Sequence, residues 1–111
     1  MNLKEELIKK VLEIEGSYKF KTLEKDLIGF WFGGVEGEAL SLILKDSDIE
    51  ATTESPCLKE YNKNDELTRE QAHSSLVVKW KKDFTEKDVK NIFDSIKKGV
   101  ETLRNISGWK R

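Results

Sequence analysis

The chain has few of the residues that build the common reactive or cross-linked sites. Its 111 residues include one cysteine, one histidine, one proline and one methionine. A single cysteine excludes an intrachain disulfide, and small secreted domains usually carry several. One cysteine and one histidine also fall short of the four ligands of a structural zinc site. We therefore expect no metal site, no cofactor and a reducing, cytoplasmic compartment.

The chain also lacks a long apolar run and an excess of either charge. No stretch approaches the roughly 20 apolar residues that a membrane-spanning helix needs. The N-terminal residues alternate charged with apolar side chains, which a signal peptide does not. Twenty basic and 21 acidic residues give a formal net charge of −1, although 37% of all residues are charged. Net charge therefore predicts no attraction to membranes or nucleic acid, and the length is that of one domain, residues 1–111.

Amphipathic patterns predict a helix at each end of the chain. Asn2 is a suitable N-cap for the first helix, and Gly16 is expected to end it. Thr85 and Asp88 form a capping-box pair for the second helix, which Gly108 is expected to end. Apolar residues recur every three or four positions in both segments: Leu3, Leu7, Val11 and Ile14 in the first, and Val89, Ile92, Phe93, Ile96, Val100 and Leu103 in the second.

Between these helices the apolar period changes to two, which is typical of strands. Gly33–Gly37 is expected to connect two strands as a hairpin, and residues 55–74 form a long irregular connection in which Thr68–Gln71 begin a helical turn. The order α-β-β-β-β-loop-β-α predicts an α+β fold, a two-layer sandwich whose antiparallel sheet of about five strands is flanked by N- and C-terminal helices. The five predicted strands are residues 17–22, 27–32, 39–45, 49–54 and 76–82.

Candidate catalytic and metal motifs fail on their spacing or surroundings. Cys57 and His73 are a formal nucleophile–base pair, but no nucleophile-turn signature surrounds the cysteine. Asp46–Glu50 spaces its acids as an EF-hand loop does, yet the required glycine and glutamate are absent. The glycines of Gly33–Gly37 precede a predicted strand and lack a phosphate-binding lysine. The sequence therefore predicts no catalytic residues and no enzyme.

One face of the second predicted strand has no obvious place in the core. Ile28, Phe30 and Phe32 share one face of this strand, and Leu27 and Trp31 share the other. If both helices cover the first face, Leu27 and Trp31 are left to bind a partner. The main prediction is therefore a non-enzymatic binding module of the adaptor, inhibitor, immunity or chaperone type. It would bind another protein, or a second copy of itself in a homodimer, through the sheet.

Lysines on two predicted strands support an alternative function. If these strands are neighbours, their outer faces join into a lysine patch able to track the phosphates of a nucleic acid. Two observations count against this function. Alternation points the aromatic side chains between these lysines into the core, where they cannot stack on bases, and arginine, the usual cation that reads base edges, is scarce. Sequence-tolerant nucleic-acid binding is the alternative prediction. Its residues are Lys19, Lys21, Lys79, Lys81 and Lys82.

Overall fold

A computed structural model describes residues 2–22, 24–54 and 67–109 of the chain. Four strands form one antiparallel sheet in the order β1-β2-β4-β3. Three helices pack on one face of this sheet, and a short fourth helix packs on the other. The elements are α1 (Leu3–Leu12), β1 (Ser17–Phe20), β2 (Leu27–Phe32), α2 (Gly37–Asp46), β3 (Ala51–Thr52), α3 (Arg69–His73), β4 (Ser75–Lys79) and α4 (Glu86–Ser107).

The N-terminal helix is confirmed, although it is shorter than the sequence predicts. The Asn2 side chain accepts a hydrogen bond from the Glu5 N–H at 2.9 Å, which satisfies one of the free donors of the first turn. The helix ends at Leu12 rather than at Gly16. Gly16 lies in the turn to β1 with φ +70°, a conformation that glycine adopts without strain.

The C-terminal helix is confirmed over its full predicted length. The Asp88 carboxylate accepts a hydrogen bond from the Thr85 N–H at 2.8 Å, as the capping-box pattern predicts. Gly108 ends the helix in the left-handed conformation, with φ +70°. One stripe of α4 faces the sheet, and its buried side chains are Val89, Ile92, Ile96 and Val100.

The core lies between the sheet and helices α1, α2 and α4. Alternation along β2 and β4 points every second side chain towards these helices. Ile28 faces Val78 across the strand pair, and Phe30 faces Leu76. All four side chains are at most 2% exposed. The predicted strand at residues 49–54 is present as the two-residue edge strand β3, so four of the five predicted strands are confirmed.

The predicted strand at residues 39–45 is wrong, because these residues belong to helix α2. Leu40 and Leu44 are fully buried, whereas Leu42 between them is 59% exposed. Leucines at every second position fit a strand, but the two buried ones are four residues apart and fit a helix equally well. Gly33–Gly37 is consequently not a hairpin. It leads from β2 into α2, and Gly34 takes a positive φ of 75° there.

The predicted helical turn near residue 68 is confirmed as α3. The Thr68 hydroxyl accepts the Gln71 N–H at 3.1 Å, and the Gln71 side chain accepts the Thr68 N–H at 3.0 Å. This reciprocal pair is a capping box. The other part of the predicted long connection, residues 55–66, lies outside the described residues, and Cys57 with it.

The end of α4 is fastened to two glycine turns. Arg104 Nε donates to the Gly33 carbonyl at 2.8 Å, and Arg104 Nη2 donates to the Gly16 carbonyl at 3.3 Å. The Trp109 ring lies 3.8 Å from the guanidinium carbon and against Gly34, where a Cβ atom would lie 2.2 Å from the ring. These contacts fix the loop between β2 and α2.

In the part of the chain that is described, no helix has both the length and the apolar character needed to cross a membrane.

Candidate functional site

Two buried hydroxyl groups lie side by side where β3 ends and β4 begins. Thr53 is 1% exposed and Ser75 is 0% exposed, and their Oγ atoms are 3.1 Å apart. The Ser75 hydroxyl donates to the Ala72 carbonyl at 2.7 Å and accepts the Glu54 N–H at 2.8 Å. Because its one hydrogen goes to Ala72, the hydrogen between the two hydroxyls comes from Thr53. We call Thr53, Glu54, Ala72 and Ser75 together the hydroxyl anchor.

The hydroxyl anchor joins the chain on the two sides of residues 55–66. Thr53 and Glu54 lie before that segment, and Ala72 and Ser75 lie after it. The Ser75 hydroxyl donates one hydrogen bond and accepts two in these contacts, so its hydrogen-bonding capacity is fully used. It therefore fixes the points at which the chain leaves the sheet and returns to it.

The first residue of α2 packs directly on the anchor. A Cβ atom on Gly37 would lie 2.0 Å from the Ser75 carbonyl oxygen and 2.7 Å from Thr53 Oγ. Only glycine allows this approach, because the obstructing carbonyl belongs to the backbone. The prediction that these glycines precede a strand is therefore wrong, because they lead into α2. Glu36 and Glu38 still place negative charge at this helix end, which disfavours a phosphate ligand.

The sheet face opposite α1, α2 and α4, which we call the reverse face, carries a second apolar cluster. Leu27 and Trp31 lie on this face and are half-buried. Tyr18 stacks on Trp31 with ring centroids 4.2 Å apart, and it remains 49% exposed. Leu27 and Trp31 thus share the face that the alternation predicts, and their binding of a partner stays a prediction. The buried members of the cluster are Phe20, Leu67, Ala72 and Val77.

A groove borders the reverse face on each side of its aromatic pair. The first has a volume of about 530 Å³ and runs along the β3 edge, where Leu27, Val77 and Lys79 line it. The second has a similar volume of about 530 Å³ and lies between Trp31 and Gln71. The first groove therefore offers concave apolar surface, whereas Thr68, Glu70 and Gln71 make the second largely polar.

The predicted lysine patch does not form. Strand β2 separates β1 from β4, so the two groups of lysines are not on neighbouring strands. Lys79 Nζ lies 3.0 Å from Asp26 Oδ2, and Lys81 Nζ lies 2.6 Å from Glu50 Oε1. The hydrogen bond from Lys79 lowers the pKa of Asp26, so this carboxylate stays charged and offsets the ammonium group. The other three predicted residues, Lys19, Lys21 and Lys82, are exposed.

The described residues do not assemble a complete catalytic centre. His73 ends α3, and its predicted partner Cys57 lies outside the described residues. Among residues 2–22, 24–54 and 67–109, no three His, Cys, Asp or Glu side chains are grouped as metal ligands. No lysine or arginine in these ranges is buried.

Sequence reasoning missed the hydroxyl anchor, although a signal for it was present. Thr53 occupies a position at which the alternation of the edge strand points inwards, and Ser75 immediately precedes the apolar run of β4. A polar residue at an inward-pointing position needs a hydrogen-bond partner. The alternation could have identified Thr53 as such a residue, but only the fold identifies Ser75 as its partner.

A curated relative is a cysteine desulfurase, IscS 1 of Archaeoglobus fulgidus. It is 30% identical to this chain over 114 aligned positions, which cover 95% of the chain and 30% of the relative. The chain thus spans less than a third of the length of the curated relative that it matches. No protein-family model matches the chain.

Solved structures share the fold at low sequence identity. A NifS-like protein from Rickettsia africae is 16% identical with a TM-score of 0.71, and the match covers 89% of this chain and 27% of that one. The cysteine desulfurase CsdA of Escherichia coli, solved in an S-sulfonic acid form, is 16% identical with a TM-score of 0.66, over 91% and 24% of the two chains. A putative sugar aminotransferase from Streptococcus pneumoniae in its PMP form is 11% identical with a TM-score of 0.63, over 96% and 32%. In each of these proteins the shared fold is a minor part of a longer chain.

These similarities contradict two predictions made from the sequence. The prediction of a non-enzymatic binding module is wrong, and so is the prediction that the protein is not an enzyme, because the relative and the structural neighbours point to an enzyme family. The lysine patch on which the nucleic-acid alternative depends does not form, because β2 separates the two groups of lysines. The error arose because a complete catalytic set was sought in 111 residues, whereas the match accounts for only 30% of the desulfurase.

Proposed function

We propose that this chain forms one domain of a cysteine desulfurase-type enzyme, which removes the sulfur atom from cysteine. The observation that carries the proposal is the 30% identity to a cysteine desulfurase over 95% of the chain. The shared fold of the NifS-like protein supports it independently of sequence, with a TM-score of 0.71. The remainder of the enzyme corresponds to the larger part of the relative that this chain does not match.

We infer that the remainder of the enzyme holds the amino-acid substrate. A free cysteine carries a carboxylate, which proteins usually bind through an arginine fork. Arg104 already donates to the Gly33 and Gly16 carbonyls and stacks on Trp109. Arg69 is exposed on the short helix α3. Neither arginine is placed to hold a buried carboxylate within this domain alone.

The described residues also do not fit an amino-group-carrying cofactor such as the PMP of the aminotransferase neighbour. The aldehyde form of such a cofactor would be held by a Schiff base to a lysine amine, with an acidic or basic partner for the ring nitrogen. No lysine among the described residues is buried, and Lys79, Lys81 and Lys90 are each paired with a carboxylate at the surface. We therefore derive no step through such a group from this domain.

Sulfur removal requires an acceptor, and this chain contains one thiol. In the balanced reaction, cysteine and a thiol give alanine and a persulfide. The carbon–sulfur bond of the substrate breaks, a sulfur–sulfur bond forms, and the carbon takes up a proton. The attacking group in such transfers is a thiolate. We propose Cys57, three positions after Glu54 in the sequence, as this acceptor.

A hybrid enzyme tests the proposal. The part of the A. fulgidus desulfurase that matches this chain is replaced by the chain, and sulfide release from cysteine is measured in the presence of a reducing thiol. We expect release by the hybrid, no release by the isolated chain, and loss of release in a Cys57→Ser hybrid. A Ser107→Ala hybrid is the matched control, because Ser107 is exposed on α4. Equal rates with and without Cys57, or a folded hybrid that releases no sulfide, would contradict the proposal.

A further inference from the structure

We propose that Ser75 and Thr53 are positioning residues for the sulfur-transfer step, because they fix the part of the chain from which Cys57 extends. The inference rests on the proposed function, in which Cys57 accepts the sulfur. In that step the Cys57 thiolate forms a sulfur–sulfur bond to the substrate, and the carbon that loses the sulfur keeps the bonding electrons and takes up a proton. Both hydroxyls are buried, so their contribution to this step is placement alone.

The Ser75 hydroxyl is a rigid support, because three elements fix its residue. Ser75 begins β4, an inner strand of the sheet, and pairs with Trp31 of β2. Its hydroxyl donates to the Ala72 carbonyl of α3 at 2.7 Å. The first residue of α2, Gly37, packs so closely that a Cβ atom there would lie 2.0 Å from the Ser75 carbonyl oxygen. Groups that place others need this kind of support from regular elements.

The chain that leads to Cys57 leaves the sheet from a short edge strand. In the described part of the chain, β3 is two residues long and pairs with β4 on one side. Immediately after it, the Thr53 hydroxyl and the Glu54 N–H both bind Ser75 Oγ, at 3.1 Å and 2.8 Å. These two contacts extend the attachment of the chain by two residues beyond the ladder, which ends at Thr52.

This extension shortens the tether of the acceptor thiol. Cys57 is three positions after Glu54 in the sequence, and a chain spans at most about 3.6 Å per residue, so the two Cα atoms lie within about 11 Å of each other. With Thr52 as the last attached residue, the tether has five residues and the limit rises to about 18 Å. Effective concentration falls roughly as the −3/2 power of tether length, so release of both residues lowers it about twofold.

Hydrogen bonds give this attachment a direction that apolar packing would not. Thr53 is 1% exposed and Ser75 is 0% exposed. A buried pair of hydrogen-bonded groups can be replaced by apolar groups of the same shape at almost no cost in stability. What the hydroxyls add is a fixed orientation and an acceptor for the Glu54 N–H. The pair is therefore suited to holding a chain end in place.

First-turnover kinetics of the hybrid enzyme test the inference. Isotope-labelled cysteine is added at saturating concentration, and the rate at which labelled sulfur appears on Cys57 is followed by mass spectrometry. We expect Ser75→Ala and Thr53→Val each to lower this rate about twofold. The cysteine concentration that gives half of the maximal rate should not change, because the remainder of the enzyme holds the substrate. Ser41→Ala, which removes a buried hydroxyl from α2, is the control and should leave the rate unchanged.

Thr53→Ser separates placement from stability. This variant keeps the hydroxyl and loses a buried methyl group, so its melting temperature should fall while its transfer rate stays that of the parent. A transfer rate that follows the melting temperature across these variants would mean that the anchor only stabilises the fold, which would overturn the inference. If Ser75→Ala does not fold, Thr53→Val carries the test, because valine keeps the shape of threonine.

Spin labels on the isolated chain measure placement without activity. Cys57 is the only cysteine, and Leu42→Cys provides a second label site on α2, where the leucine is 59% exposed. The distribution of distances between the labels should be about 1.3-fold broader with Ser75→Ala than with Ser41→Ala, since chain dimensions grow as the square root of tether length. Equal widths would contradict the inference.

The two measurements distinguish this inference from the proposed function. A hybrid that places sulfur on Cys57 equally fast with and without the Ser75 hydroxyl overturns the inference and leaves the function intact. A parent hybrid that folds and releases no sulfide contradicts the function. Broader label distances in the isolated chain would then still support placement of Cys57 by the anchor.

Discussion

Removal of the Ser75 hydroxyl should destabilise the fold far more than removal of another buried serine hydroxyl. In Ser75→Ala, the Thr53 hydroxyl and the Glu54 N–H both lose the acceptor that they share. The loss of hydrogen bonds at a buried polar site costs about 1–3 kcal/mol. Thr53 is 1% exposed, whereas Glu54 is half-buried and water can partly replace its contact. We therefore expect a loss of about 2–3 kcal/mol in the free energy of unfolding, which is a large fraction of the roughly 5–15 kcal/mol typical of a domain.

Urea denaturation followed by tryptophan fluorescence measures this loss, and Ser41→Ala is the matched control. Ser41 is also buried, at 6% exposure, but its hydroxyl donates only to the Glu38 carbonyl one turn earlier in α2. Alanine is the better helix former at such a position, so the control should change the stability by less than about 0.5 kcal/mol. Similar losses in the two variants, or a loss below about 0.5 kcal/mol for Ser75→Ala, would refute the role of the hydroxyl anchor.

Three further predictions concern contacts outside the anchor's hydroxyl pair. Gly37→Ala should cost about 2 kcal/mol in the same urea assay, because the new Cβ would lie 2.0 Å from a backbone carbonyl oxygen. Gly99→Ala should cost less, because its Cβ would meet the side chains of Leu40 and Ile43 rather than backbone, and alanine is the better helix former. Arg104→Lys should lower the stability by about 1–2 kcal/mol, because lysine lacks the planar fork that reaches two carbonyls, and a melting temperature equal to that of the parent would contradict this. The hydrogen bond from Lys79 holds the pKa of Asp26 below its ordinary value of 3.8. The ion pair therefore stabilises the fold fully above pH 3.8, and this contribution is lost as the pH falls through the lower pKa of the folded state. A carboxyl NMR titration should show the pKa of Asp26 rising in Lys79→Met, and the accompanying stability change should be small because both side chains are 41–46% exposed.

Local sequence signals identified most of the fold. The capping residues Asn2 and Thr85 act within four residues, and they identified the starts of α1 and α4 because nothing distant competes with them. The apolar alternation located β2 at its observed ends and assigned Ile28 and Trp31 to opposite faces. These features depend on neighbouring residues alone.

Features that depend on distant contacts were not predictable in the same way. Leucines at positions 40, 42 and 44 fit a strand and a helix equally well, and burial of two of them against the sheet and α4 decides for the helix. The approach of Gly37 to Ser75 joins residues that are far apart in the sequence, and so does the pairing of Thr53 with Ser75. The separation of the lysines into two groups follows from the insertion of β2 between β1 and β4, an order that alternation does not encode.

The function was missed because the reactive residues were judged as if this chain had to contain a complete site. Cys57 was discarded because no nucleophile-turn signature surrounds it, although a sulfur acceptor needs only a reactive thiolate. The similarity to a desulfurase, over 95% of this chain and 30% of the relative, was the information that the residues alone did not contain. A single cysteine is weak as a motif and becomes specific only when the reaction is known to require a sulfur acceptor.

Mass spectrometry of the hybrid enzyme after incubation with isotope-labelled cysteine tests the central claim most directly. The labelled sulfur should be found on Cys57 as a persulfide when the reducing thiol is omitted, and it should disappear when the thiol is added. Labelled sulfur that accumulates elsewhere in the hybrid, or an unmodified Cys57 in a folded protein, would contradict the account.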